Sequence, residues 1–202
     1  MRKPLLIALM ALISAAAVSA QGKHNYRSKP RSEGNCPKVY IGFGTGINFS
    51  TGLLGINVDV PVVGGLSLSS GAGLSTWGYK VYGEARYAFK PCNRGWAIGT
   101  GLTLNTGLSD FSSTMPTTYG ERTVTMDLQP KTNVFLCGYH FWTMGKRYNR
   151  FYLQFGYSVP LSNYDYVITS GDVLTSEGAA AMDILSPGGL IFGIGFSFGL
   201  GG

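Results

Sequence analysis

The chain has 202 residues, of which only 13% are charged, about half the share of an ordinary soluble domain. Glycine contributes 30 residues and aromatic residues make up 13%. This composition excludes a disordered chain, which needs high charge and few aromatic residues. It also argues against a helical bundle, because glycine in a helix interior costs about 1 kcal/mol per residue. No segment after residue 20 has the roughly 20 consecutive apolar residues of a membrane-spanning helix.

The first twenty residues, 1–20, have the pattern of a secretory signal peptide. Arg2 and Lys3 precede an apolar run, and small residues follow as far as Ala20, so cleavage is expected before Gln21. Residues 21–37 are then predicted to form a flexible basic periplasmic leader, because they are rich in basic and polar residues and almost free of apolar ones. The rest of the chain has no basic stripe, so no nucleic-acid partner is expected.

Beyond the leader, apolar residues alternate with small or polar residues in segment after segment, which is typical of β-strands with two different faces. The last segment is the clearest, because Phe192, Ile194, Phe196 and Phe198 alternate with glycine and serine. Eight strands are predicted, and Pro130 should bend or bulge the sixth. They comprise residues 39–49, 54–60, 66–75, 80–89, 96–105, 124–136, 151–159 and 190–201.

The small-residue face of these strands decides the class of barrel. It carries glycine, serine, threonine and asparagine with few charges, whereas the water-facing side of a soluble sheet is polar and often charged. Such residues suit the crowded interior of a narrow barrel. The sequence therefore predicts an all-β fold, a closed eight-stranded antiparallel up-and-down transmembrane β-barrel over residues 38–202, with the Phe192–Phe198 apolar face toward lipid. A soluble periplasmic ligand-binding barrel stays the alternative, because each strand signal is weak alone.

Connection lengths predict how the barrel is oriented. Short connections at residues 61–65, 90–95 and 143–150 contrast with long ones at 108–122 and 161–187. Outer-membrane barrels keep short turns on the periplasmic side and long loops outside. The long loops 108–122 and 161–187 are therefore the predicted contact sites for an extracellular ligand.

Four segments carry a family resemblance: residues 39–46 (VYIGFGTG), 126–130 (MDLQP), 151–157 (FYLQFGY) and 193–199 (GIGFSFG). Through them, residues 38–202 resemble the small eight-stranded outer-membrane β-barrels of the porin-like, OmpA-type fold. The resemblance implies location in the cell outer membrane, contact with outer-membrane lipid and folding by the barrel-assembly machinery. It implies a monomer with a structural, adhesive or loop-mediated role, or weak porin-like passage. The chain departs from the family in ending Gly-Leu-Gly-Gly instead of on an aromatic residue.

Four charged residues of the second and fourth strands fall on the inward face: Asp59, Lys80, Glu84 and Arg86. Buried charges are costly unless they are paired, so these side chains are predicted to form ion pairs inside the barrel. They would either fill the interior, as expected for eight strands, or gate a narrow ion path.

The three cysteines have different expected environments. Cys36 and Cys92 should lie on the same rim, and export permits a disulfide between them. The sequence leaves open whether these two cysteines are bonded or free, because the leader must reach over the barrel mouth to bring the Cα atoms within about 7 Å. Cys137 is expected inside the sixth strand as a small packed thiol.

No enzyme activity and no cofactor or metal site are predicted. A lipid-modifying enzyme of the outer membrane, the alternative, would need a nucleophile and a histidine base oriented by a carboxylate. His140 is expected to point outward, without a serine or a carboxylate in reach.

Overall fold

The computed structural model describes residues 36–145, 149–162, 166–171 and 173–201. The predicted signal peptide and residues 21–35 of the predicted leader lie outside the described residues. The described residues form eleven β-strands and one α-helix, with a single 3-10 turn at Pro91–Asn93. In chain order these are β1 (Val39–Ile47), β2 (Leu54–Val63), β3 (Leu66–Ser75), β4 (Gly78–Lys90), β5 (Arg94–Asn105), β6 (Leu108–Thr117), β7 (Gly120–Leu128), β8 (Lys131–Met144), β9 (Asn149–Pro160), β10 (Tyr166–Ile168), α1 (Ser176–Leu185) and β11 (Gly189–Leu200).

Eight of the strands close into a barrel in which every neighbouring pair is antiparallel. Around the barrel the order is β1, β2, β3, β4, β5, β8, β9 and β11, and β11 pairs back with β1. Barrel neighbours therefore follow one another along the chain, and the topology is up-and-down. The predicted closed eight-stranded antiparallel barrel is confirmed, and its closure gives each barrel strand two hydrogen-bonded neighbours.

The barrel has large apolar side chains on its outer face, and its interior combines polar and charged side chains with aromatic rings. Ile56 and Phe89 are 68% and 64% exposed on the outer face, whereas Asp59, Arg150 and Gln154 are fully buried within the barrel. This distribution follows from the alternation along each strand, because successive side chains point to opposite faces of a sheet. The outer face is the opposite of that of a soluble barrel, on which polar and often charged side chains contact water.

The residues predicted to face lipid all lie on the outer face of β11. Phe192 and Phe198 are 56% and 46% exposed, and Ile194 is also exposed. Phe196 is half-buried because its ring packs against Phe43, with ring centroids 6.2 Å apart, and against Phe198 at 4.9 Å. The predicted division of β11 into an apolar outer face and a small inner face is therefore correct.

The predicted sixth strand, residues 124–136, is wrong as a single element. The structure divides it into β7 and β8, separated by Gln129 and Pro130. Proline has no backbone N–H with which to continue a sheet, and the chain changes sheets at this point. Only β8 belongs to the barrel, so the segment 126–130 does not lie within one barrel strand as the resemblance implied.

The two predicted long loops are largely folded. Residues 108–122 contain β6 and the start of β7, and residues 161–187 contain β10 and α1. Strands β10, β7 and β6 form a three-stranded sheet in that order. We call this sheet, α1 and their connections the cap, and the barrel end beside it the cap end. Its core consists of Trp77, Met115, Val124, Met126, Leu128 and Met182.

Side-chain hydrogen bonds join the cap to the barrel. Trp77 Nε1 donates to the carbonyl of Gln129 at 2.9 Å, and Thr76 Oγ1 donates to the carbonyl of Leu185 at 2.9 Å. Lys131 Nζ donates to Ser186 Oγ at 2.6 Å. The cap is thus attached to the barrel through the β7–β8 connection and through the end of α1. Among the described residues, no helix has the length and apolar content to cross a membrane.

The other end of the barrel has short connections. Between β2 and β3 the turn consists of Gly64 and Gly65, which have φ values of 53° and 91°. Two consecutive positive φ values suit glycine and match the right-handed twist of the paired strands. The Cys36–Cys92 disulfide lies at this end, which we call the disulfide end.

Candidate functional site

A network of four charged side chains occupies the barrel interior. Arg86 Nη2 lies 2.8 Å from Glu84 Oε2, and Arg86 Nη1 lies 3.4 Å from Asp59 Oδ2. Arg150 Nη2 pairs with the same Asp59 oxygen. All four side chains are at least 95% buried, and their formal charges sum to zero. Mutual pairing compensates for the loss of hydration that would make isolated buried charges prohibitive.

Aromatic rings enclose the two guanidinium groups of this network. The Arg150 Cζ atom lies 3.5 Å from the centroid of the Tyr40 ring, and the Arg86 Cζ atom lies 4.1 Å from that of Tyr139. Phe141 lies within 5.4 Å of both guanidinium carbons. The negative face of a ring attracts a cation most strongly when water is excluded. The rings therefore stabilise the cations on the sides where no carboxylate lies.

Lys80, which was predicted to belong to the ion pairs, lies apart from them. Its Nζ donates to the backbone carbonyls of Asn48 and Phe49 at 3.1 and 2.8 Å. Among the described residues no carboxylate pairs with it, so its predicted ion-pair role is wrong. The physical reason is its level in the barrel, since Lys80 starts β4 at the cap end and meets the β1–β2 connection instead.

That connection folds into the barrel and fills its cap end. The predicted first strand placed Phe49 on the outer face, but β1 ends at Ile47, and Asn48 adopts a positive φ of 48° that turns the chain inward. Asparagine adopts this left-handed conformation more readily than most residues. Phe49 is consequently 1% exposed, and Ser50 Oγ donates to Gln154 Oε1 at 2.9 Å.

Two glycines make room for the Phe49 ring inside the barrel. A Cβ atom built on Gly44 of β1 or on Gly193 of β11 would overlap that ring. The ring of Tyr152 stacks beside it with centroids 6.2 Å apart. Glycine in these strands thus thins the wall where a large side chain crosses the interior. Phe49, held by Lys80, acts as a plug at the cap end.

Sequence reasoning missed one member of the charged network and the rings that enclose it. Arg150 was assigned to the short connection 143–150, but it is the second residue of β9 and points inward. The signal was available, since Arg150 immediately precedes the outward-facing Phe151 and so has the opposite parity. Tyr40 could have been found in the same way, because it lies between Val39 and Ile41.

The three cysteines comprise one disulfide and one buried free thiol. Cys36 and Cys92 form a disulfide, which closes the option of a free pair, and their Cα atoms are 5.1 Å apart. Tyr40 Oη donates to the carbonyl of Cys92 at 3.1 Å, so the disulfide turn is joined to a ring that encloses Arg150. Cys137 is buried in β8 and accepts a hydrogen bond from Gln154 Nε2 at 3.0 Å.

His140 lies on the outside of β8, as its parity predicted. Its ring packs between Trp96 and Trp142, with centroids 4.7 and 4.3 Å away. These ring contacts differ from the serine and carboxylate contacts that a catalytic histidine would make. Within the described residues, no three His, Cys, Asp or Glu side chains are grouped as metal ligands.

The cap presents a polar sheet face opposite its core. Hydroxyl groups pair across β6 and β7, with Ser112 and Thr125 at 3.0 Å and Thr114 and Thr123 at 3.5 Å. At the tip of this hairpin Tyr119 is 71% exposed. The predicted loop surface therefore exists as an ordered sheet face with a prominent aromatic residue at its tip.

Comparison of the chain with protein-family models, curated proteins and solved structures found no match. The fold defines the class of protein as a closed eight-stranded antiparallel β-barrel with an apolar exterior. Its interior holds a neutral charged network toward the disulfide end and a phenylalanine plug at the cap end. A functional argument therefore has to start from this arrangement.

Proposed function

We propose that the chain is an integral outer-membrane protein whose barrel lies in lipid and whose cap projects outside the cell. The observation that carries the proposal is the inverted polarity of the barrel, with apolar residues outside and paired charges inside. The barrel strands have 9 to 14 residues. A tilted strand of about 9–11 residues is long enough to span the hydrocarbon of a bilayer.

The alternative, a soluble ligand-binding barrel, fits this polarity poorly. Water would contact large apolar side chains on all barrel strands, whereas soluble monomers rarely expose contiguous apolar patches above a few hundred Å². The interior of a soluble ligand-binding barrel would also need space for its ligand, but here the Phe49 plug and the charged network occupy it. Lipid is the solvent that such an exterior requires.

The proposed orientation places the disulfide end in the periplasm and the cap outside. Short turns face the periplasm in known outer-membrane barrels, and a disulfide fits an oxidising compartment. The role we propose is structural, adhesive or interaction-based through the cap, in a monomer that contacts outer-membrane lipid and is folded by the barrel-assembly machinery. We propose no catalytic role for His140, because aromatic rings surround it.

The location is tested by fractionation and by gel mobility. We expect the full chain to sediment with outer membranes and to need detergent for extraction. The folded barrel should migrate differently on a gel when the sample is not boiled, because a closed barrel resists detergent denaturation. Recovery in the soluble periplasmic fraction, with no change of mobility on boiling, would contradict the proposal.

Porin-like passage is a second candidate, and the plug argues that it is weak. Because Phe49 fills the cap end, we expect the unmodified protein to show little conductance in planar bilayers. Phe49→Ala removes the ring and should increase conductance, while it costs about 3–5 kcal/mol in stability, as do other buried Phe→Ala changes. Phe89→Ala, on the outer face, is the matched control and should leave the current unchanged.

If Phe49→Ala is folded, as shown by its boiled and unboiled mobility, and still conducts no better than the Phe89→Ala control, the plug is not what blocks passage. The charged network alone would then close the interior. Large stepwise conductance from the unmodified protein would contradict weak passage and favour a channel.

A further inference from the structure

A groove opens at the rim of the disulfide end, where the end of β4 and the start of β5 meet the end of β8. It has a volume of about 440 Å³ and is lined by Lys90, Arg94, His140, Trp142 and Thr143 together with Gly95 and Phe141. We call it the rim groove. Two of its lining residues, His140 and Trp142, belong to the outer surface of the barrel, whereas Phe141 is an inward ring that also contacts Arg86 and Arg150 of the charged network.

The rim groove brings together two cations that have no acidic partner. Lys90 is exposed and Arg94 is half-buried, and within the described part of the chain neither forms an ion pair. Arg94 Nε donates to the carbonyl of Pro91 at 3.2 Å, which fixes the side chain while its terminal N–H groups stay available. A fixed guanidinium beside an ammonium group is a suitable donor set for a phosphate.

The groove also lies beside a group of aromatic rings on the outer face of the barrel. His140 lies between Trp96 and Trp142, and the Trp96 ring is 6.0 Å from that of Phe155. Tryptophan rings concentrate at the level of lipid headgroups, where one edge is wet and the other apolar.

We propose that the rim groove binds the headgroup of an anionic phospholipid, of the phosphatidylglycerol type, from the periplasmic leaflet. Lys90 and Arg94 would contact the phosphate, and the acyl chains would run along the outer face past Trp96. Basic clusters at the membrane surface favour anionic over neutral lipids for electrostatic reasons. The inference rests on the proposed membrane location, which places this rim at the headgroup level.

The test uses two exposed tryptophans as reporters in the intact protein: Trp142, which lines the groove, and Trp96, which packs against His140. The chain is inserted into phosphatidylcholine vesicles that contain a minor fraction of brominated phosphatidylglycerol or, in parallel, brominated phosphatidylcholine, and quenching of tryptophan fluorescence is measured. Trp77, the third tryptophan, is fully buried in the cap core. We expect the anionic lipid to quench about twofold or more better than the neutral one.

The variant K90Q/R94Q should remove this preference, while K38Q, which changes an exposed lysine at the same end outside the groove, should keep it. Equal quenching by the two lipids in the unmodified protein, or loss of the preference in K38Q as well, would overturn the assignment. Loss on addition of inorganic phosphate, but not of sodium chloride at the same ionic strength, would assign the groove to free phosphate instead. If neither lipid quenches, the barrel is not in the membrane, and the proposed function itself has failed.

Discussion

Replacing Asp59 with asparagine is expected to destabilise the folded barrel by about 3–5 kcal/mol, as for other buried ion pairs from which one partner is removed. Asp59 is fully buried and is the carboxylate that Arg86 and Arg150 share. Arg150 Nε and Nη1 have no hydrogen-bond acceptor among the described residues. Asp59 is therefore the group that compensates for the buried charge of Arg150. The measurement is urea-induced unfolding of the refolded protein in lipid vesicles.

Glu84→Gln is the matched control within the same network. Arg86 keeps its contact with Asp59 in this variant, so the loss of stability should be smaller than for Asp59→Asn. The apolar double variant D59L/R150M should recover most of the loss, because it removes a buried pair instead of leaving half of it. Unchanged stability of Asp59→Asn would show that these side chains do not depend on one another.

Replacing Ile194 with arginine is expected to cost about 2–4 kcal/mol, the range for a cation on the lipid face of a barrel at the bilayer midplane. Ile194 lies at the middle of β11 and is 42% exposed on the outer face. The cost arises from the membrane and not from lost packing, because the side chain already points away from the interior. Unfolding in vesicles measures it.

Tyr119→Arg provides the comparison for this change. Tyr119 is also apolar and exposed, but it lies at the tip of the cap hairpin, where water is its proposed surrounding. We expect its substitution to change stability by less than about 0.5 kcal/mol, the usual effect at an exposed site. If Ile194→Arg were as neutral as Tyr119→Arg, the outer face would contact water and a soluble barrel would be favoured.

We expect the two ends of the barrel interior to differ in how far they depend on single residues. Toward the disulfide end the charged network has several ion-pair partners. We therefore expect a conservative change at its edge, such as Glu84→Gln, to have a small effect on stability. At the cap end the plug depends on Phe49 and on the Lys80 ammonium that binds its carbonyl. The charged network is therefore suited to fill the barrel interior. Phe49 is the residue at which passage of solutes is best tested.

The faces of the barrel strands were predictable because strand side chains alternate with a period of two, which is a local property. The alternation correctly predicted that Asp59 faces the barrel interior and that Phe192 and His140 face outward. The same rule would have placed Arg150 inside, had the predicted strand 151–159 been extended by one residue. Strand ends were the weak point, because they depend on which neighbour the chain meets and not on its own alternation.

The cap could not be predicted from alternation, since β6 and β7 resemble barrel strands locally. Val124 and Met126 have the same spacing as outward-facing residues of the barrel, yet they pack in one cluster with Trp77 and Met182. What separates them from the barrel is the choice of partner strand, which is decided by contacts between distant parts of the chain. The sequence by itself therefore determined a closed barrel with an apolar outside and a small-residue inside. Only the tertiary structure decided that Phe49 folds inward, that Asp59 is shared by two arginines, and that the long connections form a second sheet, because each depends on groups brought together by barrel closure.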